Sequence, residues 1–250
     1  MVAQVVRVEA VSCDSMHEAA WLERNLLETS LPPWNRTPGG QENVVFIRMD
    51  MRPPAPGLTV EHVIEPARNV EHFGPYLGGQ RARHAIAALH RILPLAYTGT
   101  RLRGAQLEMA RARGVAGADR AQFIGALNAV LQREPDAVAW ARAELKRRRD
   151  RSMGTLAFEL AGRIHDEIEA FDWVTSPQRV TNNDGGDCDV YGWSAAVLHL
   201  GIRDGRVSQW SQRSCSQARA EPLLATTPAS WTDFAQRNAE LAAALADRSA

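Results

Sequence analysis

One glutamate and one pair of aspartates in the chain could bind a divalent metal ion. Glu23 lies within an apolar helical pattern, and Asp187 and Asp189 follow a glycine-rich turn. Carboxylate oxygens are hard ligands of the kind that such cations prefer. One glutamate does not build a metal site, however, and the two aspartates alternate onto one face where a strand starts. From these residues alone we interpret Glu23 as a solvated or salt-bridged side chain and the aspartates as a strand start.

A dense run of positive charge is the second chemical feature of the sequence. Six cations fall within ten residues of one predicted helix: Arg142, Lys146, Arg147, Arg148, Arg149 and Arg151. Such a run could contact the phosphate backbone of DNA. Composition alone favours a solvated helix face, because Lys146 is the one lysine among 29 basic residues. That bias is typical of a GC-rich genome and does not indicate arginine selected for phosphate binding.

No pattern typical of a catalytic centre or a cofactor site occurs in the sequence. The seven histidines are scattered, and neither an H-E-x-x-H motif nor a glycine-rich phosphate motif is present. Cys13, Cys188 and Cys215 are widely spaced, which argues against a disulfide framework or a cysteine zinc site. We find no signal peptide and no membrane-spanning apolar stretch, so we expect a cytoplasmic protein with no membrane partner.

The composition is that of a globular protein with its own apolar core. Of 250 residues, 45% are hydrophobic and 23% charged, which is ordinary for a folded domain. The 29 basic residues balance 29 acidic ones. A net charge of zero argues against a surface that binds nucleic acid everywhere, but it allows a local basic patch.

Hydrophobic periodicity predicts a mixed α+β fold. Alternating apolar residues predict strands at Val2–Val11, Val44–Met49, Leu58–Ile64, Val190–Trp193, Val197–Ile202 and Val207–Trp210. Helical spacing predicts helices that begin near Ser15, Arg81, Asp119 and Pro135 and that cover Leu156–Phe171 and Trp231–Leu245. Ser15 and Glu18 form a capping box, and the short connection before Leu156 predicts an antiparallel helical hairpin. Turn-forming residues predict a turn at Gly74-Pro75, an irregular region over Tyr97–Gly117, a flexible connector over Thr181–Gly186 and a hairpin turn at Asp204-Gly205.

Three segments in the first half of the chain occur together in one known protein family. Glu18–Leu27 with Pro33-Trp34-Asn35 resembles the end of the GIY-YIG nuclease domain of the UvrC family of bacterial nucleotide excision repair proteins. His72–Tyr76 resembles the family's F-G-P-Y segment, and the helix ending in Ile92–Leu95 resembles the helix after it. These segments occur in the family's order.

Two further segments continue this order in the second half. One resembles the UVR motif through Leu156, Phe158, Glu159, Ala161, Ile164, Asp166, Ile168 and Phe171. Asp187–Val190 and the hairpin Gly201–Trp210 resemble the segment that opens the family's RNase H-like nuclease domain. The resemblance therefore implies four parts: a partial GIY-YIG-type fragment (1–38), a connecting region (39–98), a helical region (99–176) with a UVR-type hairpin (141–173), and a partial RNase H-like segment with a terminal helix (183–250).

The resemblance implies roles for individual residues. Glu23 falls at the family's metal-binding glutamate, which makes it the candidate catalytic residue and the ligand of one Mg²⁺ or Mn²⁺ ion. The candidate DNA contacts are Lys146, Arg147, Arg148, Arg149 and Arg151. The UVR motif implies docking to a UvrB-like protein through an apolar stripe of Leu156, Phe158, Ile164, Ile168 and Phe171. The alternative for this stripe is packing within the hairpin itself.

Several parts of the family pattern are missing from the sequence. The GIY and YIG strings are absent, as are the tandem helix-hairpin-helix motifs and the catalytic residues of the second nuclease. The chain reads Ala96-Tyr97-Thr98-Gly99 where cysteines of an iron–sulfur cluster would follow, so we expect no cluster. A half domain at the start suggests that Met1 is internal to a longer reading frame.

Three hypotheses follow from the sequence. The first is a UvrC-like DNA repair protein that incises DNA if its true start lies upstream. The second is a non-catalytic module that binds a UvrB-like protein through its UVR hairpin. The third is an unrelated scaffold with similar helices, which would bind no DNA.

Overall fold

The computed structural model describes residues 9–30, 42–182 and 185–247 of the chain. The predicted α+β class is confirmed, since these residues form eight α-helices and two three-stranded antiparallel sheets. In the part of the chain that is described, no helix is both long and apolar enough to cross a membrane.

The elements in chain order are α1 (Met16–Ser30), β1 (Val44–Asp50), β2 (Gly57–Glu61), β3 (Val70–Leu77), α2 (Gly79–Ile92), α3 (Ala105–Ala112), α4 (Arg120–Leu131), α5 (Pro135–Gly154), α6 (Phe158–Thr175), β4 (Cys188–Ser194), β5 (Ala196–Arg203), β6 (Arg206–Ser214), α7 (Gln217–Leu224) and α8 (Ala229–Asp247).

The chain divides into two compact units. The central unit is Glu42–Pro177, and the terminal unit combines Met1–Gln41 with Gln178–Ala250. The four-part division implied by the resemblance refers to the domains of the relatives and stays a prediction.

The central unit is a small sheet covered by helices. Its strand order is β2-β1-β3, and Val45, Ile47 and Met49 of the middle strand are fully buried. Helix α2 packs on this sheet, and α6 packs along both α2 and α5. Alanines on α2, together with Leu89, are fully buried, which allows the neighbouring backbones to approach closely. One continuous apolar core results, and it extends from the strands to α6.

The terminal unit is a second antiparallel sheet with helices packed against it. The strands have the order β4-β5-β6, and α8 packs on β4 and β5. Asp204 and Gly205 both have positive φ, at 49° and 70°, which confirms the predicted two-residue hairpin turn. The capping box at α1 is also confirmed in its main bond, because the Ser15 Oγ accepts the Glu18 backbone N–H at 3.0 Å.

The predicted turn at Gly74-Pro75 is wrong, because both residues lie inside β3. This strand is at the edge of its sheet, where the missing N–H of a proline is tolerated. The pairing of β1 with β3 shifts register between Val45 and Ile47, opposite these residues. Gly74 and Pro75 therefore form a bulge within β3, whereas the sequence predicted that the strand ends in a turn there.

Other predicted element boundaries need correction. The region Tyr97–Gly117 is not irregular throughout, since it contains α3 and parts of two 3₁₀ turns. The strand predicted over Leu58–Ile64 ends at Glu61. Thr181 is buried and bridges to Arg206 at the start of β6, so the predicted flexible connector is anchored at its first residue.

Some predictions fall on residues outside the described ranges. Of the strand predicted at Val2–Val11, only Glu9–Val11 is described, and these three residues are not in a strand. The Pro33-Trp34-Asn35 segment of the resemblance also lies outside the described residues. These parts of the sequence analysis stay predictions.

Candidate docking and nucleic-acid interfaces

The predicted helical hairpin is formed by α5 and α6 of the central unit. Pro135 occupies the first turn of α5, where its missing N–H costs nothing. At the other end, the Ala157 N–H donates to the Ser152 carbonyl at 2.9 Å and the Leu156 N–H to the Met153 carbonyl at 3.0 Å. This pair of bonds is a Schellman motif. The motif places Leu156 in the left-handed region, at φ 59°, where glycine is the usual residue.

The connection between the two helices carries an exposed apolar patch. Leu156 is 73% exposed and Phe158 is 64% exposed. Two further exposed apolar side chains lie within the same eight residues, and we call the four together the hairpin tip: Met153, Leu156, Phe158 and Leu160. Charged residues Arg151 and Glu159 border the tip and are also exposed. An apolar patch with a polar rim is typical of a protein interaction site.

The rest of the predicted docking stripe is buried inside the central unit. Ile164, Ile168 and Phe171 are at most 6% exposed, and all three belong to the apolar core shared with α2 and β1. The alternative given for this stripe was packing within the hairpin itself, but these three residues also pack against the rest of the central unit. The predicted docking surface is therefore narrowed to Leu156 and Phe158. Sequence reasoning missed Met153 and Leu160, which lie three residues before and four residues after Leu156.

The five predicted DNA-contacting residues differ in their surroundings. Glu144 forms ion pairs with Arg147 and with Arg148, the latter at 2.7 Å. Arg149 pairs with its neighbour Asp150 at 2.8 Å. Both other cations, Lys146 and Arg151, are exposed, and the described residues place no acidic partner within ion-pair distance of them. The basic run is thus partly neutralised by its own helix, as the solvated-face interpretation expects.

Glu23 lies on the exposed side of α1 in the terminal unit. The other side of this helix is fixed by buried polar residues, of which Glu18 is fully buried and accepts the backbone N–H groups of Asp14 and Arg179. Asn25 is buried as well and donates to the Val180 carbonyl at 3.0 Å. Among the described residues, no three or more His, Cys, Asp or Glu side chains cluster as metal ligands would. The described residues therefore surround Glu23 with no ligand set that fits a metal ion.

Asp187 and Asp189 have different partners in the terminal unit. The Asp204 backbone N–H donates to Asp187 Oδ1 at 2.8 Å, which ties the start of β4 to the hairpin turn. His199 and Arg203 bind Asp189 at 2.9 and 3.0 Å, and these hydrogen bonds lower the pKa of the Asp189 carboxyl. Both arrangements agree with the strand-start interpretation. Sequence reasoning missed the contact between Asp189 and His199. It follows from the strand register, in which His199 lies opposite Tyr191, two residues along β4 from Asp189 on the same face.

Comparison with known proteins gives one consistent similarity. Curated proteins named UvrABC system protein C from Cronobacter sakazakii, Salmonella enteritidis and Salmonella typhimurium are 29%, 30% and 30% identical to this chain over 83% of its length. The match covers 36% of each of these relatives, so the chain spans about a third of their length. No protein-family profile matches the chain, and no solved structure matches it. The chain is therefore similar to UvrABC system protein C over most of its own length.

Proposed function

We propose that this UvrC-like chain acts in nucleotide excision repair by docking a UvrB-like protein through its hairpin tip. The relatives' name assigns them to the UvrABC system, which supports a role in the same process. The observation that carries the docking role is the exposure of Leu156 and Phe158 at the end of a UVR-like hairpin. Exposed aromatic and aliphatic anchors with a polar rim are what a helical partner of similar character would cover.

The backbone at Leu156 adds independent support. A leucine held at positive φ costs about 1–2 kcal/mol relative to the right-handed region. Glycine would relieve that cost, and the largely exposed Leu156 side chain gains little from packing in the free chain. An unfavourable conformation with an exposed apolar side chain points to a role outside the fold itself.

A pull-down with the full chain tests this proposal. The UvrB-like protein of the same organism is captured by wild type, by Phe158→Ser and by the matched control Trp140→Ser. Trp140 is also an exposed aromatic residue of the hairpin, but it lies 14 residues before Gly154, about 20 Å along α5. We expect Phe158→Ser to weaken capture at least tenfold and Trp140→Ser to leave it unchanged. Equal capture by all three proteins would contradict the proposal.

DNA binding by the basic run is part of the same proposal. Lys146 and Arg151 support it best, because both are exposed and lack a nearby acidic partner among the described residues. Phosphate contacts release counterions, so the affinity for DNA should fall as salt rises, with a shallower slope in a Lys146→Gln, Arg151→Gln double variant. An affinity for DNA that does not change with salt would contradict phosphate contacts and would favour the interpretation of the basic run as a solvated helix face.

Incision of DNA at Glu23 is the alternative proposal. Its support is the match of Glu23 to the family's metal-binding glutamate and the exposure of this side chain on α1. Because the described residues do not provide a metal site around Glu23, we derive no catalytic step through a metal ion. Labelled DNA incubated with Mg²⁺ or Mn²⁺ decides the question. Cleavage that is lost in Glu23→Gln would support incision, and no cleavage by the wild type would contradict it.

A further inference from the structure

A cavity of about 480 Å³ opens in the central unit beside α5. It lies between the end of α2, the segment after α3 and the face of α5 that carries Arg148 and Arg151. Its volume is within the range of about 300–1,000 Å³ that small-ligand sites occupy. The cavity is on the side of the hairpin rather than at the hairpin tip, and none of the tip residues lines it.

The charge of the cavity wall is strongly unbalanced. The one carboxylate among the lining residues is Asp119. Four arginines also line the cavity: Arg91, Arg113, Arg148 and Arg151. The Asp119 carboxylate accepts a hydrogen bond from the Ala116 backbone N–H at 2.8 Å. This bond closes the turn before α4 and partly satisfies the carboxylate. A concave surface with this balance attracts an anion, since the low-dielectric walls focus the positive potential.

Contacts within the unit hold three of these guanidinium groups in place. Arg91 is fixed by Glu167, and Arg148 by Glu144 and by the Arg91 carbonyl oxygen. The Arg113 guanidinium lies 5.1 Å from the centre of the Tyr97 ring. Groups that are already oriented lose little conformational entropy when they bind a ligand.

Arg113 and Arg151 are the two arginines of the cavity that no carboxylate among the described residues neutralises, and both are exposed. Arg113 donates one long hydrogen bond, of 3.5 Å, to the His90 carbonyl oxygen. The two arginines approach the cavity from different elements, one from the C-cap of α3 and the other from α5. Two arginines that converge on one cavity are well suited to a phosphate group, whose oxygens accept several charge-assisted hydrogen bonds.

The pKa of a neighbouring histidine is shifted in the direction that agrees with this potential. Burial, and then the charges of Arg113 and Arg91, lower the pKa of the His90 imidazole. The contributions of the two arginines have the sign that a positive potential produces.

We propose that this cavity binds a phosphate group through Arg113 and Arg151, supported by Arg91 and Arg148. The phosphate would belong either to a DNA strand or to a free phosphate compound, because both present the same oxygens. None of the four hairpin-tip residues lines the cavity, so the proposal does not depend on docking to a UvrB-like protein, although the cavity shares Arg151 with the proposed DNA contacts.

Calorimetric titration of the full chain with inorganic phosphate tests the site. Wild type is compared with Arg113→Gln and Arg151→Gln, and with two control variants that also remove one positive charge. Arg111→Gln changes an exposed residue of α3 that pairs with Glu108, and Arg163→Gln changes an exposed residue of α6. Neither residue lines the cavity or belongs to the basic run. We expect saturable binding that each cavity variant weakens about tenfold and each control less than about twofold.

A second titration with a fluorescent single-stranded oligonucleotide separates the two sources. If the cavity variants also lose DNA affinity more than the controls do, and inorganic phosphate competes, the site holds a DNA phosphate. If they lose phosphate but bind DNA as before, the site holds a free phosphate compound. Absence of saturable phosphate binding by the wild type, or equal losses in cavity and control variants, would overturn the proposal.

Discussion

Arg91 at the end of α2 and Glu167 in the middle of α6 form a two-pronged ion pair. The Arg91 Nε lies 2.7 Å from one carboxylate oxygen, and a terminal guanidinium nitrogen lies 2.6 Å from the other. Glu167 shares a helix face with Ile164, Ile168 and Phe171, all of which are buried. The pair therefore ties the buried face of α6 to α2, while Phe158 at the beginning of α6 stays exposed.

We predict that Arg91→Gln destabilises the central unit by about 2 kcal/mol. The substitution leaves the nearly buried Glu167 carboxylate without its main partner, and a buried charge without its hydrogen bonds is costly. Urea denaturation monitored by circular dichroism measures the change. Arg149→Gln serves as the control, since the one acidic partner of Arg149 in the described part of the chain is the exposed Asp150 beside it. This substitution should change stability by less than about 0.5 kcal/mol. Equal effects of the two substitutions would contradict this role for Arg91.

Leu156→Gly should separate stability from docking. Glycine adopts the positive φ of this position without strain, so we expect the free energy of unfolding to rise by about 0.5–1 kcal/mol. The same change removes an exposed apolar side chain of the hairpin tip, so capture of the UvrB-like protein should weaken. Thermal denaturation and the pull-down together measure both effects. A variant that is more stable but binds equally well would show that Leu156 is not part of a docking surface.

Asp50 should make the central unit sensitive to acid. The hydrogen bonds from the Arg52 side chain lower the pKa of Asp50 from 3.8 to about 2. Burial of the carboxyl opposes this shift, and the Arg52 backbone N–H and the Arg48 side chain add to it. The resulting stabilisation is complete above pH 4 and is lost as the pH falls through 2. We expect this loss to be about 1 kcal/mol, because the Arg52 partner faces solvent and is screened.

Urea denaturation at several pH values checks the Asp50 prediction. Asp50→Asn should show a smaller loss of stability between pH 4 and pH 2 than wild type does. An unchanged pH profile in this variant would mean that other carboxylates cause the acid sensitivity.

Two glycine substitutions should have opposite effects. In Gly192→Ala, the added methyl group would overlap the Ala235 carbonyl oxygen of α8, and we expect the terminal unit to lose about 2 kcal/mol. In Gly162→Ala, the methyl group enters open space on the exposed side of α6, and we expect a gain of about 0.5–1 kcal/mol. Denaturation of both variants provides the comparison. A tolerated alanine at position 192 would contradict the close packing of α8 on β4.

Local sequence signals predicted those elements whose geometry is set by neighbouring residues. The capping box at Ser15, the proline at the start of α5 and the Asp204-Gly205 turn each fix their backbone through contacts within a few residues. Gly74-Pro75 failed as a turn because its conformation depends on pairing with β1, which is distant in the sequence. Helix α3 was missed because only one of its residues, Ala110, is buried, which leaves little apolar periodicity.

The candidate sites depended even more on tertiary structure. The sequence placed Ile164 and Phe158 on one apolar stripe, but packing of α6 against α2 buries Ile164 and leaves Phe158 exposed. The arginine cavity could not be predicted, because Arg91, Arg113 and Arg151 belong to three separate segments that only the fold brings together. A resemblance to known proteins located the hairpin, and the structure determined which of its residues face outward.

The most direct test of the docking role is hydrogen–deuterium exchange of the full chain with and without the UvrB-like protein. We predict that the partner slows exchange of the backbone amides between Arg151 and Ala161, around the hairpin tip, and leaves the amides of β1 unchanged. Phe158→Ser should abolish this protection without altering exchange in the free chain outside the tip. Protection that maps to another part of the chain, or that persists in Phe158→Ser, would contradict docking through the hairpin tip.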